Sequence, residues 1–260
     1  MSYARPPDLL EDRVIVVTGA GDGIGRATAL AAAAQGATVV LLGRTVSKLE
    51  AAYDAIEQAG GPQPAIYPID FEGATAHDFA MLAERLDQTF GKLDGVVHCA
   101  ASFPYLSRID DYDPETWGRV LQVNLSAPFL LTQACLPLLR RSQDASVVFL
   151  SDTVGRHGRA YWGAYAVSKF GLEGLMQTLA DELAQSAIRV NSLDPGPTRT
   201  NLRAQAYPVE NPAHLKPPEA VTPLVLWLLG PASRRTTGQA FNHGDDPWTL
   251  LAEDEPPAAG

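Results

Sequence analysis

The chain has 260 residues, 46% of them apolar and 19% charged, which suits one large or two small globular domains rather than a disordered chain. Its formal net charge of −10 argues against nucleic acid or an anionic membrane as the main partner, because both select a basic footprint. Cys99 and Cys135 make neither a disulfide framework nor a metal-ligand cluster, and neither a signal-peptide core nor a run of ~20 apolar residues stands out. These features predict a cytoplasmic protein that holds no metal.

In chain order, short runs rich in Val, Ile and Leu alternate with longer helix-like stretches. Strands are expected at Val14–Thr18, 38–42, 65–69, 95–99, 146–150, 189–193 and Ala240–Asn242, with helices at 25–35, Val46–Gln58, 74–89, 114–140, 161–185 and 219–229. Strand runs apolar on both alternating faces are those of a sheet covered on both sides. The pattern predicts an α/β fold: one doubly wound parallel sheet with helices on both faces, spanning residues 8–250. Residues 1–7 and 251–260 are expected to be flexible termini. A proline-rich stretch at 204–218, after the sixth strand, is expected to form a loop over the substrate.

The first strand runs into Thr18-Gly19-Ala20-Gly21-Asp22-Gly23-Ile24-Gly25, and a helix opens directly afterwards. Glycines suit a tight turn whose backbone must approach a pyrophosphate, and the helix N-terminus offers free N–H groups to it. The second strand ends in Leu42-Gly43-Arg44, with Arg44 19 residues past Gly25 and no acid beside it. An acidic residue there would bind the ribose diol of NAD; an arginine favours the 2′-phosphate of NADP through paired hydrogen bonds. Lys48 could assist. Further along, Tyr165 and Lys169 stand four apart on an expected helix, hence on one face. A neighbouring ammonium should lower the phenol's pKa from about 10 and fit it for proton exchange with a carbonyl or alcohol oxygen.

The spacing Gly19-x3-Gly23-x-Gly25, followed by Tyr165-x3-Lys169, resembles the short-chain dehydrogenase/reductase family, whose fold is Rossmann-type. The segments 158–169 and Pro195-Gly196-Pro197-Thr198-Arg199-Thr200 further resemble its YciK-like branch. The resemblance covers about residues 12–244. It implies an oxidoreductase that transfers hydride between NADP(H) and a small carbonyl or alcohol substrate, assembled as a homodimer or homotetramer. It also implies cofactor contacts at Gly19, Gly23, Ile24, Gly25, Asp70, Ala100, Pro195, Thr198 and Thr200, besides Arg44. In this pattern Lys169 holds the nicotinamide ribose next to Tyr165. Asn124 matches an asparagine that kinks its helix and supports a water relay to the lysine.

Two places depart from the family. Where it usually reads Asn-Asn-Ala-Gly, this chain has His98-Cys99-Ala100-Ala101, and His98 is expected to be a core residue. Thirteen residues before the tyrosine, where the family has a substrate-binding serine, stands Asp152. An ionised carboxylate cannot donate to a carbonyl and would raise the tyrosine's pKa, opposing Lys169. Three outcomes stay open. Ser151 or Thr153 fills the role; Asp152 is protonated or accepts from an alcohol; or the chain is a cofactor-binding, catalytically weak scaffold or sensor. Phe103, Tyr105, Tyr161, Trp162 and Tyr207 are candidate pocket walls, and Arg156 and Arg159 candidate anchors for an anionic group.

Overall fold

A computed structural model describes residues 9–245. The expectations for 1–7 and 251–260, and both limits of the 8–250 domain, lie outside the described residues. Seven parallel strands run in the order β3-β2-β1-β4-β5-β6-β7: β1 (Val14–Thr18), β2 (Thr38–Gly43), β3 (Ala65–Pro68), β4 (Gly95–His98), β5 (Ala145–Leu150), β6 (Ile188–Asp194) and β7 (Ala240–Asn242). The chain moves outward from β1 to β3, then returns to place β4 on the other side of β1. The reversal opens a crevice between the carboxyl ends of β1 and β4.

All five residues of β1 are buried, because side chains alternate between two covered faces. Val14 and Val16 enter one core with Leu82, Leu131 and Met176, beneath α3 (Ala76–Phe90), α5 (Ala127–Leu139) and α6 (Gly163–Glu182). Ile15 and Val17 enter the other with Ala29, Leu49 and Leu228, beneath α1 (Gly23–Ala33), α2 (Val46–Gln58) and α8 (Thr222–Leu229). Each fully buried side chain of this size contributes roughly 1.5–3 kcal/mol. The predicted doubly wound architecture is the observed one.

Local chemistry moves several boundaries. α3 starts two residues later than its apolar pattern suggests because Thr75 and Asp78 close a capping box. The single helix expected over 114–140 is instead α4 (Pro114–Leu121), a π-helical turn over Gln122–Ser126, and α5. The extra residue in that turn accompanies the inward pull of Asn124 described below. The stretch 204–218 is not all loop: α7 (Asn201–Ala206) runs into it, and single 3-10 turns occur at Pro212–His214 and Pro218–Val221.

Candidate active site

At the end of β1 the Thr18 hydroxyl accepts the N–H groups of Cys99 and Ala100, each at 3.0 Å. It thereby ties β1 to β4 at the point where the sheet reverses. The chain then turns at Gly19, whose φ of +64° and whose closeness to the Ala100 backbone (3.1 Å from an added Cβ) leave no place for a side chain. Gly25 is tighter still, since a Cβ there would lie 2.3 Å from the Gly19 carbonyl oxygen. Helix α1 can therefore seat its N-terminus directly on the loop. Asp22 caps it, accepting the Gly23 N–H at 2.8 Å.

Loop and helix end open onto a cavity of about 950 Å³, near the upper end of the ~300–1,000 Å³ usual for ligand sites. Arg44 and Asp70 line one end, Gly19, Gly23, Ile24, Gly25 and Ala100 the middle, and Tyr165, Lys169, Pro195, Thr198 and Thr200 the other. Arg44 is exposed and has no hydrogen-bond or ion-pair partner among the described residues. A bare glycine loop, a helix N-terminus and an uncommitted guanidinium on one elongated cavity fit a phosphorylated dinucleotide. Lys48, the possible helper of Arg44, is committed elsewhere: its ammonium lies 2.5 Å from Asp22 Oδ2, which also accepts from Asn201 Nδ2 at 2.8 Å. Asp22 thus joins the glycine loop to α2 and α7. The sequence gives no sign of this, because its partners are 26 and 179 residues away.

At the other end α6 brings Tyr165 and Lys169 to one face, as their spacing predicts. Both are buried, at 3% and 4% exposure. Lys169 Nζ stands 5.6 Å from the Tyr165 ring centroid and donates to the carbonyl of Leu150, the last residue of β5, at 2.6 Å. Two residues on, Asp152 accepts the Val154 N–H on Oδ1 at 3.0 Å and the Tyr165 hydroxyl on Oδ2 at 3.2 Å. The Thr153 hydroxyl donates to Asp194 at 2.6 Å, and the Ser151 hydroxyl is buried without a partner among the described residues. Of the three residues weighed for this position, Asp152 is the one hydrogen-bonded to Tyr165.

The expectation that Lys169 lowers the Tyr165 pKa is overturned. Burial, followed by the charge and hydrogen bond of Asp152 and the charge of Asp194, pushes the phenol well above its ordinary value. Stripping water from a phenolate and setting it beside a carboxylate both disfavour its charge. Burial also pushes Lys169 down, against the opposing pull of Asp152, Cys99, Glu173 and Asp194.

Asn124 does not touch Lys169. Its Oδ1 accepts the Ser102 N–H at 2.7 Å, and its Nδ2 donates to the Ser102 carbonyl at 2.9 Å and the Ser168 hydroxyl at 3.0 Å. It pins the loop after β4 to α6. His98 is the expected core residue: its Nε2 lies 2.9 Å from the Thr132 hydroxyl, its ring stacks on Phe149, and burial lowers its pKa to about 3. Cys99 lines the cavity, but burial raises its thiol to about 12.

Phe103, Trp162 and Tyr207 line the substrate end, whereas Tyr105 packs on Tyr112 and Tyr161 is exposed outside the cavity. Arg156 is not an anion anchor. Its guanidinium is paired with Glu173 at 3.0 Å and bonded to the Phe241 carbonyl, because the sheet edge needs its carbonyls and the buried glutamate neutralised. Arg159 lines the cavity and donates to the Tyr207 hydroxyl at 2.9 Å. In the 204–218 stretch, Gln205 and Tyr207 line the cavity. Beyond them Glu210 pairs with Arg203, and Lys216 bonds the Pro197 carbonyl.

No helix among the described residues is long and apolar enough to cross a membrane. The short chain dehydrogenase family model matches residues 13–211. The oxidoreductase YciK of Escherichia coli K12 is 48% identical over 93% of this chain and 96% of its own length. A short chain dehydrogenase from Pseudomonas syringae superposes with a TM-score of 0.91 at 52% identity, over 94% of this chain and 99% of the other. One from Shigella flexneri 2a, crystallised in complex with NADP, gives 0.90 at 48% identity, over 92% of this chain and 100% of the other. On fold, motif order and these likenesses together, the chain belongs to the short-chain dehydrogenase/reductase family of oxidoreductases, in the vicinity of YciK.

Proposed function

We propose that the protein uses NADP(H) to interconvert a carbonyl and an alcohol, with Tyr165 exchanging the proton. The observation that carries this reading is the opening of the glycine loop and the Tyr165–Lys169 pair onto one cavity. The bound nicotinamide supplies or receives the hydride. Arg44 would hold the 2′-phosphate, the Gly19–Gly23–Gly25 backbone and the α1 N-terminus the pyrophosphate, and Asp70 the adenine end. Ala100, Pro195, Thr198 and Thr200 would enclose the nicotinamide end, with Lys169 on its ribose.

In reduction, a phenol of raised pKa keeps its proton at neutral pH and can release it to a developing alkoxide, a far stronger base. In oxidation a bound, positively charged nicotinamide would favour the phenolate, against the opposing effect of Asp152. Asn124 acts as a positioning residue, tying Ser102 in the loop after β4 to Ser168 on α6. The exposed apolar faces of α5 and α6 would join copies into a dimer or tetramer.

A second reading, a cofactor-binding scaffold or sensor of weak activity, is favoured by Asp152 alone. Loss of a donor to an oxyanion costs about 10²–10³ in rate. Initial rates with NADPH or NADP over a panel of aldehydes, ketones and alcohols, for the wild type beside Asp152→Ser, separate the two. Turnover by the wild type supports the oxidoreductase; turnover in the variant alone supports the scaffold.

A further inference from the structure

The residue facing the Tyr165 hydroxyl is a hydrogen-bond acceptor, and that chemistry suits a nitrogen substrate better than an oxygen one. We infer that the same site reduces protonated imines, and binds the corresponding secondary amines, with Asp152 accepting the N–H of the substrate. The inference rests on the hydride-transfer reading of the Tyr165 site and names a further substrate class for it.

Three observations support it. Asp152 lines the cavity and presents Oδ2 to the Tyr165 hydroxyl at 3.2 Å, while its other oxygen is fixed by the Val154 N–H. A carbonyl oxygen placed against that carboxylate meets two acceptors with no proton between them, whereas an iminium N–H brings the proton itself. A hydrogen bond between charged partners is also the stronger kind.

Two carboxylates, Asp152 and Asp194, share the Tyr165 end of the cavity with the Lys169 ammonium. Asp152 and Asp194 both act on Tyr165, and Thr153, which could have offered a hydroxyl, is bonded to Asp194 instead.

The wall opposite is aromatic. Phe103 and Trp162 have ring centroids 5.2 Å apart, Phe103 meets Tyr165 edge-on at 5.4 Å, and Trp162 meets Tyr207 at 5.9 Å. Ring faces attract an organic cation and exclude water around it. The two nearby arginines both sit on Tyr207. Arg203, 3.7 Å from its ring centroid, is neutralised by two hydrogen bonds to Glu210, and Arg159 donates to its hydroxyl.

The step balances without an added proton. Hydride adds to the imine carbon, the C=N π pair passes to nitrogen, and the positive charge of the substrate is cancelled. Iminium plus NADPH gives neutral amine plus NADP, with the N–H proton still shared with Asp152. Carbonyl reduction, by contrast, draws its proton from Tyr165.

The test compares 3,4-dihydroisoquinoline with 1-tetralone, bicyclic probes of similar size, in the full-length protein with NADPH. The account expects a higher kcat/KM for the imine, and a fall in the ratio of imine to ketone kcat/KM of roughly 10- to 100-fold in Asp152→Ser and in the shape-preserving Asp152→Asn. Tyr165→Phe should abolish ketone reduction and spare most imine reduction. A second readout needs no turnover: calorimetric binding of 1,2,3,4-tetrahydroisoquinoline to the cofactor-free protein should weaken by the same factor in Asp152→Asn, provided the variant's thermal midpoint matches wild type; if Asn unfolds the protein, Asp152→Ser serves. Ketone reduction with no imine reduction, or imine kinetics and amine binding indifferent to Asp152, would overturn this inference and leave the carbonyl reading standing. Absence of turnover on both probes, with NADPH bound, would overturn the hydride-transfer reading beneath it.

Discussion

The Tyr165 hydroxyl donates to Asp152 Oδ2 at 3.2 Å, so the group proposed to exchange the proton is held by an acid thirteen residues earlier. That carboxylate disfavours the phenolate and acts with burial to raise the tyrosine pKa. Removing the charge must therefore lower it. In Asp152→Asn the alkaline rise in kcat/KM for alcohol oxidation, which follows phenol ionisation, is expected to move to lower pH. A pH–rate profile checks this; a rise that stays in place or moves upward contradicts it.

Among the described residues Arg44 faces the cavity without a partner, whereas Lys48 is held by Asp22. Discrimination for the 2′-phosphate then falls chiefly on one guanidinium. Arg44→Asp should weaken NADPH binding by roughly 10- to 100-fold, the worth of hydrogen bonds to a charged group. NADH binding should hold or tighten, since an acid at this position can take the ribose diol. Titration calorimetry with both cofactors measures the pair, and an unchanged ratio of affinities refutes the assignment.

The sheet was legible because β1, β2 and β5 carry runs of Val, Ile, Leu and Phe, a pattern that double-sided burial imposes and that survives errors at the ends. The π-helical turn at Gln122–Ser126 was legible only through the resemblance, which expects a helix-kinking asparagine at Asn124; the apolar spacing runs through it unchanged, and the contact of Asn124 with Ser102 is tertiary. Tyr165 and Lys169 could be paired from their spacing, but the direction of the tyrosine's pKa could not: it depends on burial, which the helix pattern does not reveal. Arg156 misled for the same reason, because Glu173 becomes its partner only once α6 packs beside the loop after β5. Thr18 left a usable signal, as a hydroxyl closing an otherwise apolar strand at the ligand edge.

Away from the site, Asp144 receives Arg13 at 2.5 Å and Arg189 at 3.0 Å beneath the opposite end of the sheet. Burial pushes its carboxyl up, and the two guanidiniums more than offset this, so it lies below the usual carboxylate value. A depressed folded-state pKa gives stability that is present above the unfolded value, about 3.9, and is lost as pH falls through the folded one. Asp144→Ala would leave Arg189 buried and unpaired, at a cost of about 3–5 kcal/mol. Urea unfolding near neutral pH should show that loss, with less acid sensitivity than the wild type. A variant as stable as the parent would contradict it.

Phe129 on α5 and Val167 and Phe170 on α6 are each 43–45% exposed, apolar surface that these helices do not bury in the sheet. Light scattering of the wild type should give a dimer or tetramer, and Phe170→Glu should shift it toward monomer. A monomeric wild type at micromolar concentration removes the proposal.

The central claim is hydride transfer at a site where Tyr165 handles the proton. It is tested most directly with NADPH carrying deuterium at one or the other face of C4, by mass spectrometry of the alcohol formed from a reduced ketone or aldehyde. The account predicts one deuterium on the product carbon from a single labelled face, and a rate lower by about 10²–10⁴ in Tyr165→Phe with NADPH affinity preserved. Product without deuterium from either face, or an undiminished rate in the variant, would contradict it.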